Sequence, residues 1–141
     1  MINWFRHWFN AAAAEPDHLV TGKWGEKLAE QYLKKKGLKI LGRRVRVGPK
    51  AEIDLIAREG RDTLVFIEVK TRASTLMGRP ASAVHRRKRN RLTQAGNRYL
   101  NSLHPKPVYV RYDIVEVVGH PGMTTEPDIQ HIESAFTSER R

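Results

Sequence analysis

The hydrophobic and polar positions of the first third of the chain predict one amphipathic helix. Between residues 22 and 36 the apolar side chains recur every three to four positions, with Thr21 as the expected N-cap and Gly37 as the expected stop. The preceding Glu15-Pro16-Asp17 predicts a break in the chain. The stripe expected to face the core consists of Trp24, Leu28, Ala29, Tyr32 and Leu33.

The remaining pattern predicts strands on both sides of a second helix. Strands are expected at 38–47, 51–58, 63–71 and 108–118, and the pattern permits a fifth at 129–136. A long helix is expected at 80–103, after a loop at 75–79, with core positions at Val84, Leu92, Ala95, Tyr99 and Leu100. This order of elements predicts an α/β fold, in which a mixed sheet of four to five strands is flanked by helices.

Length and composition indicate one ordinary domain. The chain has 141 residues, of which 40% are hydrophobic and 29% charged, as in globular proteins. We divide it into an N-terminal aromatic, amphipathic segment at 1–18, a main domain at 19–119, and a C-terminal strand and tail at 120–141. The aromatic residues of the first segment, at helical spacing, either pack on the domain or contact a membrane or partner: Trp4, Phe5, Trp8 and Phe9.

The charge balance points to a polyanionic partner. The formal net charge is +11 at pH 7, which favours nucleic acid through phosphate neutralisation and counterion release. Cationic or potentially cationic side chains crowd the first half of the long helix: His85, Arg86, Arg87, Lys88, Arg89 and Arg91. Such neighbours repel one another, so we expect an anion against them rather than solvent alone. Phosphate contacts carry no sequence information, so low base specificity is expected.

Several classes of protein are excluded or disfavoured. The chain has no cysteine, which excludes disulfides, thiolate metal sites and cysteine nucleophiles. No segment has the length and apolarity of a membrane span, and residues 1–14 lack the pattern of a secretory signal. We therefore expect a cytoplasmic protein without a membrane span.

Charged residues interrupt two otherwise apolar strands. Because side chains alternate along a strand, Glu52 and Asp54 share one face, as do Glu68 and Lys70. A tight turn joins the two strands, so they are expected to be antiparallel neighbours, with Asp54 and Glu68 converging beside Lys70. Buried carboxylates are costly unless they are paired or bound to metal. The structural alternative is an internal salt bridge, which is a poor stabiliser by itself.

This set of residues suits the hydrolysis of phosphodiesters. Mg²⁺ takes one or two carboxylates and completes its shell with water and phosphate oxygens. The metal acidifies a bound water and neutralises developing charge, while a neighbouring lysine orients the water or stabilises that charge. We therefore predict Asp54, Glu68 and Lys70 as catalytic residues, with Mg²⁺ or Mn²⁺ on the two carboxylates.

The same residues carry a resemblance to a known family. Asp54 with Glu68-Val69-Lys70 resembles the PD-(D/E)xK nuclease signature, although Ile53 stands where that signature usually has proline. The wider pattern resembles the YraN family of predicted endonucleases, which is similar to archaeal Holliday-junction resolvases. The resemblance spans residues 21–118, and the stretches that carry it are 22–26, 51–57, 64–72, 78–80, 83–84, 88–92 and 99–100.

The resemblance implies a restriction-endonuclease-like fold for the domain at 19–119. It also implies that Glu26 completes the metal site, although a glutamate in the first helical turn is equally explained by the helix dipole. Glu52 is expected to support the metal ligands or to be a second ligand. Arg72 is expected either to hold phosphate, together with the cations of the long helix, or to be a solvated end of its strand.

Two functions follow from these observations. One is a metal-dependent endonuclease of DNA, acting on branched or otherwise structured duplexes. The other is a non-catalytic nucleic-acid-binding module that retains the nuclease fold. DNA is expected rather than RNA, and a homodimer is expected because resolving a four-way junction calls for two active sites.

Overall fold

The computed structural model describes residues 17–73 and 86–136, with side chains at 18–73 and 91–135. These ranges form helices α1 (Asp17–Lys35) and α2 (Arg86–Asn101) and strands β1 (Lys39–Val47), β2 (Ala51–Glu59), β3 (Thr63–Arg72), β4 (Tyr109–Val118) and β5 (Asp128–Phe136). None of the helices in the described ranges is long and apolar enough to cross a membrane.

The strands form one mixed sheet in the order β1-β2-β3-β4-β5. β3 and β4 are parallel, and the other neighbouring pairs are antiparallel. Because parallel strands need a crossover, the chain between β3 and β4 leaves the sheet and carries α2. The α/β fold with a mixed sheet flanked by helices is thereby confirmed, and the arrangement is consistent with a restriction-endonuclease-like fold.

Within the described ranges, one helix covers each face of the sheet. Ala29 and Leu33 of α1 pack on one face, in a core with Leu55, Ala57, Val65, Ile67, Val115 and Val117. Leu92 and Ala95 of α2 pack on the other, in a core with Val47, Ile53, Ile56, Leu64, Phe66 and Tyr112. β3 is therefore apolar on both faces, which makes any charge on it expensive.

α1 begins earlier than the sequence predicts. Its first residue is Asp17, directly after Pro16, so the predicted N-cap at Thr21 is wrong and that residue lies inside the helix. An acidic residue in the first turn is favoured by the helix dipole. The predicted stop at Gly37 is confirmed: this glycine has a φ of 96°, and the Leu38 N–H bonds back to the Leu33 carbonyl at 3.1 Å.

The other elements agree closely with the sequence pattern. The five strands begin and end within one residue of their predicted bounds, and the fifth is present. α2 lies inside the predicted 80–103, with its predicted core residues Leu92 and Ala95 buried. The predicted loop at 75–79, Val84 and the aromatic segment at 1–16 lie outside the described residues. The division of the chain at 18 and 119 stays a prediction.

Asp113 is a buried carboxylate that ties β4 to β5. It accepts hydrogen bonds from Arg111 Nε at 2.9 Å, His131 Nε2 at 2.7 Å and the Ser134 N–H at 2.9 Å. Lys36 Nζ lies 2.9 Å from the other ring nitrogen of His131, which fixes the tautomer that donates to the carboxylate. Burial opposes ionisation of Asp113, but these hydrogen bonds outweigh it and lower its pKa. The residue is structural.

Candidate active site

The candidate residues lie where β2 and β3 stop pairing. The ladder between these strands ends at Leu55 and Ile67, and Asp54 and Glu68 occupy the next positions. The N–H of Val69, which has no ladder partner on β2, donates instead to Oδ2 of Asp54 at 2.9 Å. A side chain thus replaces a backbone acceptor and brings Asp54 against the strand that carries Glu68.

Asp54 and Glu68 open into one cleft between the sheet and α2. Its volume is about 200 Å³, and it is lined by Lys50, Ala51, Glu52, Asp54, Glu68, Arg91 and Leu92. Carboxylates and cations therefore border the same space. A cleft of this kind suits a ligand with charge of both signs, such as a phosphate accompanied by a metal ion.

Lys70 and Glu68 form an ion pair at the edge of the cleft. Lys70 Nζ lies 3.0 Å from Glu68 Oε1, and their side chains are only 19% and 16% exposed. The sequence predicted that these two residues share a face. This pair matches both the catalytic arrangement and the internal salt bridge considered as its alternative, so it does not distinguish between them.

The electrostatic environment of Asp54 favours its protonated form. Burial raises the pKa of Asp54 to about 6, and the charges of Glu26 and Glu68 act in the same direction. The hydrogen bond from Val69 and the charge of Lys70 lower the pKa but do not offset burial. Such a carboxyl takes up a proton as the pH falls through about 6, and a bound cation would favour its ionised form. Perturbed groups of this kind are characteristic of functional sites.

α1 carries Glu26 to the same region. Glu26 lies close enough to Asp54 to contribute to its raised pKa. The helix touches β3 here: a Cβ on Gly25 would lie 1.9 Å from Thr71 Oγ1, so only glycine allows this approach. The Glu26 carboxylate is turned to Arg44, however, whose Nε lies 2.7 Å from it.

The predicted three-carboxylate metal site is not assembled. Among the side chains described at 18–73 and 91–135, no three His, Asp or Glu groups form a cluster that holds a metal ion. Glu26 is bonded to Arg44, and Glu68 to Lys70. Asp54 and Glu68 nevertheless share a water-accessible cleft, and two carboxylates are enough for Mg²⁺. The residues therefore fit a two-carboxylate site, and the role of Glu26 as a ligand stays a prediction.

The remaining predicted residues are placed in different ways. Glu52 is exposed, lines the cleft and lies opposite Arg46 in the register of β1 and β2. Arg91 is exposed and lines the cleft, while Arg72 is half-buried at the end of β3. The backbone of α2 includes four further predicted cations, whose side chains lie outside the described residues: Arg86, Arg87, Lys88 and Arg89.

Three neighbours of the site were missed by the sequence reasoning. Lys50 lines the cleft from the turn between β1 and β2, and Arg44 binds Glu26. Glu116 is 5% exposed and lies opposite Lys70 in the register of the parallel strands β3 and β4. The signal for Glu116 was available, because it interrupts an apolar strand just as Glu68 does. Nothing in the local sequence marks Arg44.

Comparison with known proteins connects this site to a family. The model of the uncharacterised protein family UPF0102 matches residues 25–117. A UPF0102 protein of Caldanaerobacter subterraneus is 41% identical over 119 residues, covering 83% of this chain and 94% of the relative. A UPF0102 protein of Syntrophomonas wolfei is 44% identical over 117 residues, covering 82% of this chain and 96% of the relative. A UPF0102 protein of Rhodococcus opacus is 40% identical over 122 residues, covering 84% of this chain and 98% of the relative. The matched range includes every predicted site residue.

Proposed function

Because this chain belongs to the uncharacterised protein family UPF0102, the YraN family that its sequence resembles, we propose the function that its cleft supports best: metal-dependent hydrolysis of phosphodiester bonds in DNA. The observation that carries the proposal is the shared cleft of Asp54 and Glu68 beside Lys70. A half-buried carboxyl with a raised pKa costs stability, and such costs are typical of functional sites.

Mg²⁺ or Mn²⁺ would be held by the carboxylates of Asp54 and Glu68, with Glu26 as a third ligand if it leaves Arg44. When bound, such an ion acidifies water and neutralises charge on the phosphate. Hard oxygen donors are the ligands that both ions prefer. The hydrogen bond from Val69 orients Asp54 for this role before any ligand is present.

Cationic side chains in and beside the cleft bind and position the substrate. The Lys70 ammonium, held at 3.0 Å from Glu68, orients the attacking water or stabilises the charge that develops on the phosphate oxygens. Lys50 and Arg91 on the cleft wall bind the neighbouring phosphates. Arg72 and the cationic turns of α2 extend this contact along the backbone of the DNA, which gives affinity without base specificity.

The substrate and assembly follow from charge and from the family resemblance. The net charge of +11 supports a nucleic acid, and the resemblance to resolvase-like nucleases supports branched or structured DNA. Two cuts in a four-way junction need two centres, so the proposal includes a homodimer on such DNA. Sedimentation of the protein with and without a junction measures this directly.

The test is cleavage of labelled linear, flapped and four-way-junction DNA in Mg²⁺ or Mn²⁺. We expect Asp54→Asn and Lys70→Gln each to lose cleavage by about 100-fold or more. Matched controls are Asp128→Asn and Lys39→Gln, which remove the same charges from exposed positions of β5 and β1 and should cut normally. Cleavage that survives Asp54→Asn and EDTA would reject the proposal.

One observation favours the non-catalytic alternative. No three-carboxylate cluster is assembled among the described side chains, as would be expected of a module that only binds nucleic acid. Such a module binds DNA with strong salt dependence and cuts none of the three substrates. It also binds equally well with Asp54→Asn, and competition with duplex RNA then identifies which nucleic acid it prefers.

A further inference from the structure

Arg44 of the edge strand β1 lies near two acidic residues, Asp54 of β2 and Glu26 of α1. It follows Arg43, which pairs with Leu55, and it therefore lies across from Asp54 in the register of β1 and β2. Its guanidinium reaches past the sheet to α1, with Nε 2.7 Å and Nη2 3.4 Å from the carboxylate oxygens of Glu26. Arg44 thus contacts Glu26 of α1 and lies close enough to Asp54 of β2 to feel its charge.

The backbone at Arg44 is adapted to this contact. Its φ is 45°, in the left-handed region that residues other than glycine rarely adopt and that asparagine tolerates best. Side chains of a regular strand alternate between its faces, and a left-handed residue changes that direction. An unusual backbone conformation retained next to a candidate site suggests a role for the side chain that it directs.

The electrostatic surroundings of Arg44 are acidic. The hydrogen bond from Arg44 to Glu26 raises the pKa of the arginine, and the charges of Glu52 and Asp54 add to the effect. The neighbouring Arg43 has a different environment, since its Nε donates to Glu30 at 2.8 Å. The two arginines carry equal charge on adjacent residues, but only Arg44 contacts a carboxylate predicted to bind metal.

We propose that Arg44 is the resident counter-ion of Glu26, neutralising this carboxylate while no metal ion is bound and transferring to a DNA phosphate when the ion arrives. This inference rests on the proposed function, because it assumes the metal site of Asp54 and Glu68. It accounts for the contact between the Glu26 carboxylate and Arg44. It also couples the two ligands: metal releases Arg44 for DNA, and DNA draws Arg44 away from Glu26.

The change of partner by Arg44 has a low free-energy cost. The arginine fork fits a carboxylate and a phosphate equally well, and it stays charged in both settings. The side chains of Arg44 and Glu26 are 37% and 22% exposed, and ion pairs at such sites are weak. Without a counter-ion, by contrast, Glu26 would add repulsion to the carboxylates of the cleft. The ion pair therefore neutralises the Glu26 carboxylate, yet it is weak enough to be replaced when a metal ion binds Glu26 and a phosphate binds Arg44.

The first experiment measures Mn²⁺ binding to the DNA-free protein by calorimetry. Arg44→Asn removes the counter-ion and suits the left-handed backbone, so it should bind Mn²⁺ about fivefold more tightly than wild type. Arg43→Asn, the matched control, should bind like wild type. The gain should disappear when Arg44→Asn is combined with Glu26→Gln, because the released carboxylate is then missing.

The second experiment measures DNA binding of the same variants in Ca²⁺ and in EDTA. Arg44→Asn should weaken binding of duplex DNA several-fold more in Ca²⁺ than in EDTA, because only the metal-bound protein frees Arg44 for phosphate. Arg43→Asn should weaken it equally in both. An equal loss for Arg44→Asn in both conditions overturns the counter-ion exchange.

Failure of this inference differs from failure of the proposed function. If wild type binds Mn²⁺, Asp54→Asn does not, and Arg44→Asn matches wild type, then the metal site stands and the role of Arg44 is wrong. If no variant binds Mn²⁺ while circular dichroism shows all of them folded, both the metal site and the counter-ion are rejected.

Discussion

The N–H of Val69 donates a 2.9 Å hydrogen bond to the carboxylate of Asp54, at the position where β2 no longer offers β3 a backbone partner. One candidate ligand is therefore oriented by the backbone of the strand that carries Glu68 and Lys70. The relative position of the two carboxylates depends on the sheet rather than on a flexible loop. Preorganisation of this kind is what a reactive site requires.

Neutralising Asp54 should stabilise the metal-free protein. The pKa of Asp54 is about 6 in the folded state, and that of an unfolded aspartate is about 3.9. The folded state thus binds the proton of Asp54 more tightly than the unfolded state does. The stability that the protonated carboxyl contributes is therefore complete below pH ~4 and is lost as the pH rises through 6. We expect Asp54→Asn to raise the free energy of unfolding by about 1–3 kcal/mol at pH 8 and to leave it unchanged at pH 4.

Urea denaturation in EDTA at the two pH values measures this difference. Asp128→Asn, at an exposed position of β5, is the control and should change stability at neither pH. A loss of stability for Asp54→Asn at pH 8 contradicts the assignment of Asp54 as a carboxyl that is costly to ionise.

Two glycines of α1 should respond oppositely to alanine. A Cβ on Gly25 would meet Thr71 Oγ1 at 1.9 Å and its Cβ at 3.0 Å, whereas a Cβ on Gly22 meets nothing within 4 Å. Gly25→Ala should therefore destabilise the protein by about 1–3 kcal/mol, because α1 must move away from β3. Gly22→Ala should stabilise it by up to about 1 kcal/mol through helix propensity. Thermal unfolding of the two variants tests the pair, and equal melting temperatures would refute the close contact.

Asp113 should be essential for stability but not for chemistry. Asp113→Ala leaves Arg111 and His131 without their buried partner and removes the acceptor of the Ser134 N–H. Loss of one partner from a buried pair costs about 3–5 kcal/mol. We expect that loss in urea denaturation, with the cleavage rate per folded molecule unchanged. A folded, fully stable Asp113→Ala that no longer cuts DNA would assign the residue to the site instead.

Arg91 should contribute one phosphate contact to DNA binding. It is exposed on α2 and lines the cleft, so Arg91→Gln should reduce the slope of log K against log salt by about 0.9. The loss should be uniform across DNA sequences, because the contact is to the backbone. Arg58→Gln is the control, since Arg58 is exposed far along β2 from the cleft. Equal slopes for both variants would remove Arg91 from the interface.

The parts of the structure that depend on periodicity could be predicted from the sequence. Alternation along β2 and β3 brought Asp54, Glu68 and Lys70 together, because neighbouring strands joined by a tight turn leave few alternatives. The buried stripe of α1 followed in the same way, with Ala29 and Leu33 fully buried. These predictions needed only local rules and one pairing.

The parts that depend on tertiary register could not be predicted. Glu116 lies opposite Lys70 in the register only because β4 runs parallel beside β3, and a sequence pattern does not determine that order. Arg44 reaches Glu26 through a left-handed residue whose local sequence gives no turn signal. The start of α1 at Asp17 was missed because the residues before Thr21 carry little helical periodicity.

The parallel pairing of β3 with β4 has a consequence for how this fold can diversify. The crossover leaves β3 at Arg72, immediately after the acidic residues, and returns to the sheet at Tyr109. The hydrogen bonds between β3 and β4, and not the length of this connection, set the register in which Lys70 lies opposite Glu116. The stretch of chain ahead of α2 is therefore a place where proteins of this fold can differ in length while Glu68 and Lys70 keep their positions on β3.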